Sequence, residues 1–217
     1  HREEINSMAF HPQRNILASG SEDNTIHIWD IDTGKKITTL EGHSSGVSSV
    51  AFHPKRNILA SGGSWDNTIG IWDIETGKEL NRLEGHRGGI TSVTFYPNSH
   101  FLASGSHDNT IGIWDIDTGK QINKLEGHRG GVSSVVFHRK RNILASGSGD
   151  NTIGIWDIDT GKKINTLEGH GGAVTSVAFH PQGNILASRS RDNPIGIWDI
   201  DTGKQINKPE GHSGEVY

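Results

Sequence analysis

One unit of about 42 residues recurs five times along this chain of 217 residues, and this periodicity limits the possible folds more than any other feature. Gly-His dipeptides lie at 42–43, 85–86, 127–128, 169–170 and 211–212. Trp-Asp dipeptides lie at 29–30, 72–73, 114–115, 156–157 and 198–199, so that successive copies are 43, 42, 42 and 42 residues apart. A repeat of this length indicates a solenoid, a propeller or another array whose units bury their apolar faces against one another.

Each repeat holds four short segments that carry the signals of β-strands. The segments are rich in Val, Ile and Thr, and Pro, Asn, Asp or Gly bounds each of them. Across the repeats they resemble "VSSVAFHP" (47–54), "NILASG" (57–62), "TIGIWDI" (68–74) and "KITTLEG" (36–42). No helical spacing occurs, so each repeat predicts one four-stranded antiparallel sheet. The first two segments alternate poorly between apolar and polar residues, which favours sheets covered on both faces and stacked radially in an all-β propeller.

The Gly-His and Trp-Asp spacing over the whole chain resembles the WD-repeat β-propeller family. The resemblance implies blades at approximately 1–42, 43–85, 86–127, 128–169 and 170–211, with 212–217 as the start of a sixth. Rings of this family most often have about seven blades, so we expect five blades that form part of a larger ring. The close similarity of the copies also resembles the amplified WD repeats of bacterial signalling proteins.

The resemblance further implies a structural hydrogen-bonded tetrad in each blade. An indole N–H only donates, a hydroxyl donates and accepts, and a carboxylate only accepts, so a neutral imidazole can complete a chain of these groups. Ser, His and Asp also make up a catalytic triad, but a triad needs a free nucleophile beside an oxyanion hole, and five buried copies favour the structural role. The predicted tetrads are His1, Ser19, Asp23, Trp29; His43, Ser61, Asp66, Trp72; His86, Ser104, Asp108, Trp114; His128, Ser146, Asp150, Trp156; and His170, Ser188, Asp192, Trp198.

Two other patterns suggest chemistry only weakly. Asp-Thr-Gly at 32–34, 117–119, 159–161 and 201–203 is similar to the aspartic-protease signature, but that chemistry needs two adjacent carboxylates, and these triplets are ordinary turns on separate blades. The family places the first strand of each blade along a central channel, where a ring of imidazoles could bind zinc or copper. The candidates are His11, His53, His138 and His180, and Tyr96 breaks the series. We expect no catalytic residue, cofactor or metal.

Composition and net charge narrow the classes of partner that the chain could bind. The chain has no cysteine, which excludes disulfides and thiolate zinc sites, and its net charge of −4 favours neither nucleic acid nor membrane. Basic residues do cluster in the turns after the first strands, at Arg14, Lys55, Arg56 and 139–141. Acidic residues of the turns after the third strands share that face, which favours a solvated surface over a phosphate-binding one. We expect a cytoplasmic protein without a membrane segment.

The positions at which the copies differ lie on the opposite face of the disc. The residue before the tetrad Asp is Glu22, Trp65, His107, Gly149 or Arg191, and the second copy carries one extra residue there. The loops before the first strands read "REE", "SSG", "RGG", "RGG" and "GGA". Because Trp and Arg are favoured at binding hot spots, we predict a partner-binding rim formed by Trp65, His107, Arg191, Glu22, Arg87, Arg129, Arg2 and Glu3. In the alternative, Trp65 packs onto a neighbouring blade.

The predicted function is therefore a non-catalytic scaffold or sensor that docks a protein or peptide on this rim. Two alternatives stay open: a sugar or metal bound in the channel or between blades, and nucleic acid bound by the basic turns. If five blades do not close a ring, the end blades could associate between chains. The fifth copy carries Arg189, Pro194 and Pro209 in place of Gly, Thr and Leu. Because Pro194 removes an N–H that a central strand needs, we expect this blade to be looser.

Overall fold

The computed structural model describes residues 1–97, 99–181, 183–192 and 194–209. These residues form five four-stranded antiparallel sheets, each built from four consecutive strands, which we call a to d within blades 1 to 5. The strands are β1 (Ile5–Phe10), β2 (Ile16–Ser21), β3 (Thr25–Asp30) and β4 (Lys36–Glu41); β5 (Val47–Phe52), β6 (Ile58–Gly63), β7 (Ile69–Asp73) and β8 (Glu79–Leu83); β9 (Ile90–Phe95), β10 (Phe101–Ser106), β11 (Ile111–Asp115) and β12 (Gln121–Leu125); β13 (Val132–Phe137), β14 (Ile143–Ser148), β15 (Ile153–Asp157) and β16 (Lys163–Leu167); and β17 (Val174–Phe179), β18 (Ile185–Ser190), β19 (Ile195–Asp199) and β20 (Gln205–Asn207).

The sheets are arranged as propeller blades, which confirms the predicted all-β fold class. Strands a of successive blades (β1, β5, β9, β13 and β17) contact one another, and strand b of each of blades 1 to 4 contacts strand a of the next blade. Strands a therefore lie along the axis and strands d lie at the periphery. Among the described residues, no helix is long and apolar enough to cross a membrane.

The hydrophobic core lies between blades. Each blade has a leading face, which packs on the preceding blade, and a trailing face, which packs on the following one. Val47, Val50 and Phe52 on the leading face of blade 2 pack against Ile26 and Ile28 on the trailing face of blade 1. Equivalent clusters join blades 2 and 3, 3 and 4, and 4 and 5. Strands β6 and β14 are buried at every position because both of their faces are covered, which explains their poor alternation.

Glycine in strand c makes room for the tetrad tryptophan. A Cβ atom at Gly70 would lie 2.6 Å from Nε1 of Trp72, so the indole rests directly on the backbone of its own blade. Blade 1 has His27 at this position, and its ring stacks on His1 with centroids 3.7 Å apart.

The described blades do not close into a ring, since no hydrophobic cluster within the described residues joins blade 5 to blade 1. On the leading face of blade 1, Met8 and Phe10 are 66% and 71% exposed. The equivalent Val50 and Phe52 of blade 2 are 6% and 9% exposed. The faces at the two ends are thus the only apolar blade faces that remain uncovered within the described part of the chain.

Blade 5 differs from the expectation in one respect. Strand c begins at Ile195, as strands c of blades 2 to 4 begin at the equivalent isoleucines, so Pro194 lies just outside the strand. The prediction that Pro194 removes an N–H from a central strand was therefore wrong. Strand d is nevertheless short, with three residues in β20 against five in β16. The predicted start of a sixth blade, 212–217, lies outside the described residues.

Candidate functional site

The side chains of each predicted tetrad are hydrogen-bonded in series, and blade 4 illustrates the geometry. Trp156 Nε1 donates to Ser146 Oγ at 2.7 Å, Ser146 Oγ lies 2.7 Å from His128 Nε2, and His128 Nδ1 lies 2.9 Å from Asp150 Oδ2. Because the indole can only donate, the serine hydrogen goes to Nε2 and Nδ1–H goes to the carboxylate. The corresponding distances in the other four blades lie between 2.6 and 3.1 Å.

The electrostatics of the tetrads match this direction of donation. Burial lowers the pKa of His86 and His128 by more than their carboxylate partners raise it, so both imidazoles are neutral near pH 7. Burial alone would raise the pKa of Asp108, but hydrogen bonds from Thr110, the Arg87 amide and His86 outweigh it and lower the pKa to about 2. The tetrads of blades 3 and 4 therefore pair a neutral imidazole with an ionised carboxylate, and the polar side-chain atoms of both tetrads are hydrogen-bonded.

This arrangement leaves the tetrad serines unsuited to nucleophilic catalysis. Ser61, Ser104 and Ser146 have no solvent exposure, and each Oγ already accepts the N–H of a buried indole. The histidine and aspartate are placed as the base of a catalytic triad would be, but a nucleophile also needs access to its substrate, and these buried serines have none. The geometry serves instead to join strands b and c of a blade to the loop that enters it.

The aromatic residues after strand a join adjacent blades. His11 packs edge-on against Phe52 of the next blade with centroids 5.0 Å apart, and the pairs His53–Phe95, Tyr96–Phe137 and His138–Phe179 repeat the contact. The Nδ1 atoms of His11, His53 and His138 also accept backbone amides of the following turn. Burial lowers the pKa of these three imidazoles. Within the described residues, no group of three or more acidic or imidazole side chains could hold a metal ion.

Three arginines in the basic turns of the bottom rim, between strands a and b, form ion pairs with carboxylates. Arg56 Nη1 lies 2.7 Å from Asp117 Oδ1 in the turn between strands c and d of the next blade. Arg14–Glu75 and Arg141–Asp201 repeat this inter-blade ion pair at 3.2 and 2.6 Å. These pairs are exposed, so each stabilises the fold by about 0–1 kcal/mol. These ion pairs also engage three of the guanidinium groups that could otherwise bind phosphate.

The top rim consists of the b–c turns and the loops that precede strands a, and backbone hydrogen bonds tie these two elements together. In blade 3, His107 N donates to Gly89 O at 2.9 Å. Ser106 Oγ donates to Gly88 O at 2.8 Å and accepts from Asp108 N at 3.1 Å. Ser21, Ser148 and Ser190 make the same two contacts in blades 1, 4 and 5. The residue at the tip of each turn consequently projects from one common face.

Blade 2 builds its longer turn differently. Gly63 replaces the turn serine, and a Cβ atom there would lie 1.9 Å from Asp66 Oδ1. Ser45 of the adjacent loop supplies the missing hydroxyl, since its Oγ accepts from Trp65 N at 3.0 Å and from Asp66 N at 2.9 Å. Ser64 N donates to the loop in the way that His107 N does. The extra residue, Gly63 and Ser45 thus act together to hold Trp65 at the tip.

Trp65 points into solvent. Its side chain is 77% exposed, and its ring is nearly parallel to that of His107 on the next blade, with centroids 6.2 Å apart and an interplanar angle of 22°. Trp65 therefore leans towards blade 3 but covers little of it, which differs from the alternative of a packed side chain. Sequence reasoning missed Ser45, although "SSG" in place of "RGG" was a visible signal.

The other residues predicted for the rim are distributed around it. Arg87 and Arg129 are exposed in the loops on either side of the His107 turn, and Arg191 is exposed in blade 5. Within the described residues none of these three makes an ion pair, in contrast to Arg14, Arg56 and Arg141 of the bottom rim. Blade 1 contributes exposed Arg2, Glu3 and Glu22, and Glu22 accepts a hydrogen bond from Asn6 at 2.8 Å.

A cleft of about 420 Å³ lies beside the first tetrad. Its lining includes His27, Lys36, Thr39 and Glu41. In blade 2, the Arg82 guanidinium fills the equivalent place and donates to Gly42 O at 2.9 Å, whereas the equivalent residue of blade 1 is the shorter Thr39. Blade 4 also has a threonine at this position, Thr166, and there Lys163 Nζ donates to the corresponding carbonyl, Gly127 O, at 3.0 Å.

Comparisons with known proteins agree with this architecture. A family model described as the echinoderm microtubule-associated protein second beta-propeller matches residues 5–162, and one described as WD domain, G-beta repeat matches 161–199. Nuclear distribution protein PAC1 of Tuber melanosporum is 53% identical over 47 residues, and nuclear distribution protein nudF of Aspergillus terreus is 57% identical over 47 residues. Each match covers 22% of this chain and 10% of the relative.

These relatives are fungal, so they lend no support to the resemblance to bacterial signalling proteins. Their matches are little longer than one repeat, whereas the first family model spans almost four blades. With the Gly-His and Trp-Asp spacing and the five meandering sheets, that match establishes that the chain belongs to the WD-repeat β-propeller family.

Proposed function

We propose that this chain is a non-catalytic interaction module that docks a protein or peptide on its top rim. The observation that carries the proposal is Trp65, which is 77% exposed on a turn that its own blade is modified to hold. Trp is among the residues most enriched at binding hot spots. The scaffold role agrees with membership of a family whose members commonly bind proteins.

The turn prepares Trp65 for binding before a partner arrives. Its backbone is fixed by the Ser45 hydroxyl, and its ring has a neighbour in His107. A side chain that is already ordered loses less conformational entropy when it is buried in a complex. Full burial of the indole would then stabilise the complex by about 2–4 kcal/mol, the range of a typical hot spot.

The charges around Trp65 favour an acidic segment as the partner. Arg87 and Arg129 flank the His107 turn and make no ion pair among the described residues, so their guanidinium groups are available to carboxylates. Guanidinium and carboxylate groups form paired hydrogen bonds that are stronger than neutral ones. The acidic residues of blade 1, Glu3 and Glu22, would direct such a segment towards blades 2 to 4.

The names of the similar proteins fit a cytoplasmic scaffold, which is part of the same proposal. They are nuclear distribution proteins and a microtubule-associated protein, but the matches to the nuclear distribution proteins cover about one repeat. They support the blade sequence and leave the partner to be identified. For a ligand in the channel or nucleic acid on the basic turns, the described residues offer no specific observation in favour.

Selection of peptides from a random display library on the whole chain tests the proposal. Selected peptides should bind Trp65→Ala at least tenfold more weakly than the unaltered chain, a loss of about 1.4 kcal/mol. Leu80→Ala is the matched control, because Leu80 is 54% exposed on the outer strand of the same blade. Binding that is unchanged by Trp65→Ala, or reduced equally by Leu80→Ala, would place the docking surface elsewhere.

A further inference from the structure

The outer strands of blades 1 and 4 differ at a single position. Residues 28–43 and 155–170 are identical over sixteen positions except one, where blade 1 has Thr38 and blade 4 has Asn165. Both segments contain strand d, which pairs with strand c on one side only and forms the outer edge of its sheet. The sequence difference between the two edges is thus confined to this residue.

The asparagine covers an amide that points away from the sheet. Asn165 Oδ1 accepts a hydrogen bond from Thr166 N at 2.9 Å. The same bond, from the following amide to the asparagine side chain, is made at 3.0, 2.9 and 2.8 Å by Asn81, Asn123 and Asn207. The edges of blades 2 to 5 therefore each present one free N–H fewer to a further strand.

Blade 1 lacks this cover. Thr39 pairs with strand c in the same register as Thr166, so its N–H also points outward. Within the residues that the structure describes, this N–H has no acceptor, because the shorter Thr38 side chain does not make the bond that Asn165 makes. Strand d of blade 1 also pairs over a greater length, with six residues in β4 against five in β16. The edge of blade 1 is therefore the best suited to accept another strand.

This edge lies at the periphery of the disc, where an adjacent blade does not cover it. Ile37 in strand d of blade 1 is 53% exposed. The equivalent Leu80, Ile122 and Ile164 are 52 to 56% exposed, although blades 2 to 4 each contact a blade on both sides. The exposure of the edge is thus a property of its position on the disc.

We propose that the chain forms a two-fold dimer in which strand d of blade 1 pairs antiparallel with the same strand of a second copy. An exposed edge strand with a free N–H is a template for a further strand. The N–H and the C=O of one residue point to the same side of an antiparallel strand, so two opposed Thr39 residues exchange two hydrogen bonds. The contact is then self-complementary, as a two-fold interface requires. The β-branched side chains of Ile37, Thr38 and Thr39 suit paired strands.

The charges at the ends of the strand favour a second copy as the occupant. Lys35 and Lys36 are exposed at the start of the strand, and Glu41 is exposed at its end. Antiparallel pairing brings the lysine end of each copy to the glutamate end of the other, whereas parallel pairing would place like charges side by side. The strand is thus complementary in charge to itself.

Sedimentation equilibrium of the whole chain over a range of concentrations tests the dimer. The unaltered chain should pass from monomer to dimer as the concentration rises. Thr38→Asn gives blade 1 the outer strand of blade 4, and it should dimerise at least about tenfold more weakly, because the two-fold axis removes two amide hydrogen bonds together. Asn165→Thr is the matched reverse change, and it should allow assemblies larger than a dimer because it opens a second edge.

The absence of cysteine from the chain allows an independent test. Thr39→Cys places one thiol at the two-fold axis, and mild oxidation should give a covalent dimer. Thr166→Cys, at the same position of blade 4, is the control and should give little.

Three results would overturn the proposal. They are an unaltered chain that is monomeric up to its solubility limit, dimerisation that Thr38→Asn leaves unchanged, and equal cross-linking of the two cysteine variants. In the first case, a synthetic extended peptide whose binding Thr38→Asn weakens would assign the edge to a strand of another protein. In the second case, the contact between copies would lie on a different surface.

Discussion

Blade 2 contains two tryptophans, seven residues apart, with opposite environments and roles. Trp72 is 1% exposed, rests on Gly70 and donates its N–H to Ser61 at 2.7 Å. Trp65 is 77% exposed and contacts one ring of the neighbouring blade. The first recurs in every copy, whereas the second stands at a position where the other copies have Glu, His, Gly or Arg. The positions that repeat in every blade thus form the structural frame, while the varied positions on the top rim can change without disturbing it.

The largest expected effect comes from breaking the frame in blade 2. Ser61→Ala removes the hydroxyl between Trp72 and His43 and leaves two buried polar atoms without partners. We expect the free energy of unfolding to fall by about 2–3 kcal/mol, measured by urea denaturation. Ser64→Ala is the control, because the Ser64 hydroxyl is buried without a hydrogen-bond partner. Equal losses for both variants would contradict the assigned role of the tetrad.

The second-largest effect should come from acid, because the tetrad histidines and aspartates that titrate lie in more than one blade. Burial holds the pKa of His86 and His128 below the ordinary value of 6.5, so below that pH the unfolded chain binds protons that the folded chain excludes. Stability should therefore fall as the pH decreases through about 6.5. A second fall should follow below pH 3.8, because Asp66 and Asp108 have pKa values of about 2 in the folded chain.

Urea midpoints at constant ionic strength, measured between about pH 7.5 and about pH 5.5, check the first of these two steps. A fall in stability over this range is expected if the buried tetrad imidazoles are neutral in the folded chain. Stability that is constant or increases towards the lower pH would show that the folded chain accommodates imidazolium in the frame.

A smaller effect should come from repairing the frame in blade 5. Thr152 donates to Asp150 from its amide at 3.0 Å and from its hydroxyl at 2.7 Å, whereas Pro194 at the equivalent position can make neither bond to Asp192. Pro194→Thr should raise the free energy of unfolding by about 1 kcal/mol in the same denaturation experiment. The reverse change in blade 4, Thr152→Pro, should lower it. A destabilised Pro194→Thr variant would mean that blade 5 depends on its proline.

The frame was predictable from the sequence because the same four-strand unit and the same tetrad letters return at each step. The isoleucines and valines of one copy must be buried against another apolar surface, and the repeat itself supplies that surface in the next copy. The inter-blade role of His11 and His53 was missed, since a resemblance placed them on a channel while their contact is with Phe52 and Phe95 of the next blade. That contact depends on how two copies are offset, which one repeat does not encode.

The orientation of Trp65 could not be predicted from the sequence. An extra residue in a turn can project outward or fold back, and the choice here depends on a hydroxyl from a different loop, that of Ser45. The boundary at Pro194 was misjudged for a related reason. Strand c begins after the residue that binds the tetrad Asp, so the proline affects a hydrogen bond to Asp192 and not the ladder.

The smallest expected effect on stability is that of Trp65→Ala, which should change the free energy of unfolding by less than about 0.5 kcal/mol because the side chain is mostly in water. Thermal unfolding followed by circular dichroism measures this change. A loss of more than about 1 kcal/mol would mean that Trp65 belongs to the frame.

The most direct test of frame and rim compares Trp65→Ala with Trp72→Phe in one experiment. Unfolding and the affinity for a library-selected peptide are both measured for the two variants and the unaltered chain. We predict that Trp65→Ala keeps its unfolding temperature and loses at least tenfold in affinity, about 1.4 kcal/mol, while Trp72→Phe unfolds at a lower temperature and binds normally while folded. A Trp65→Ala chain that loses stability and keeps its affinity would contradict the account.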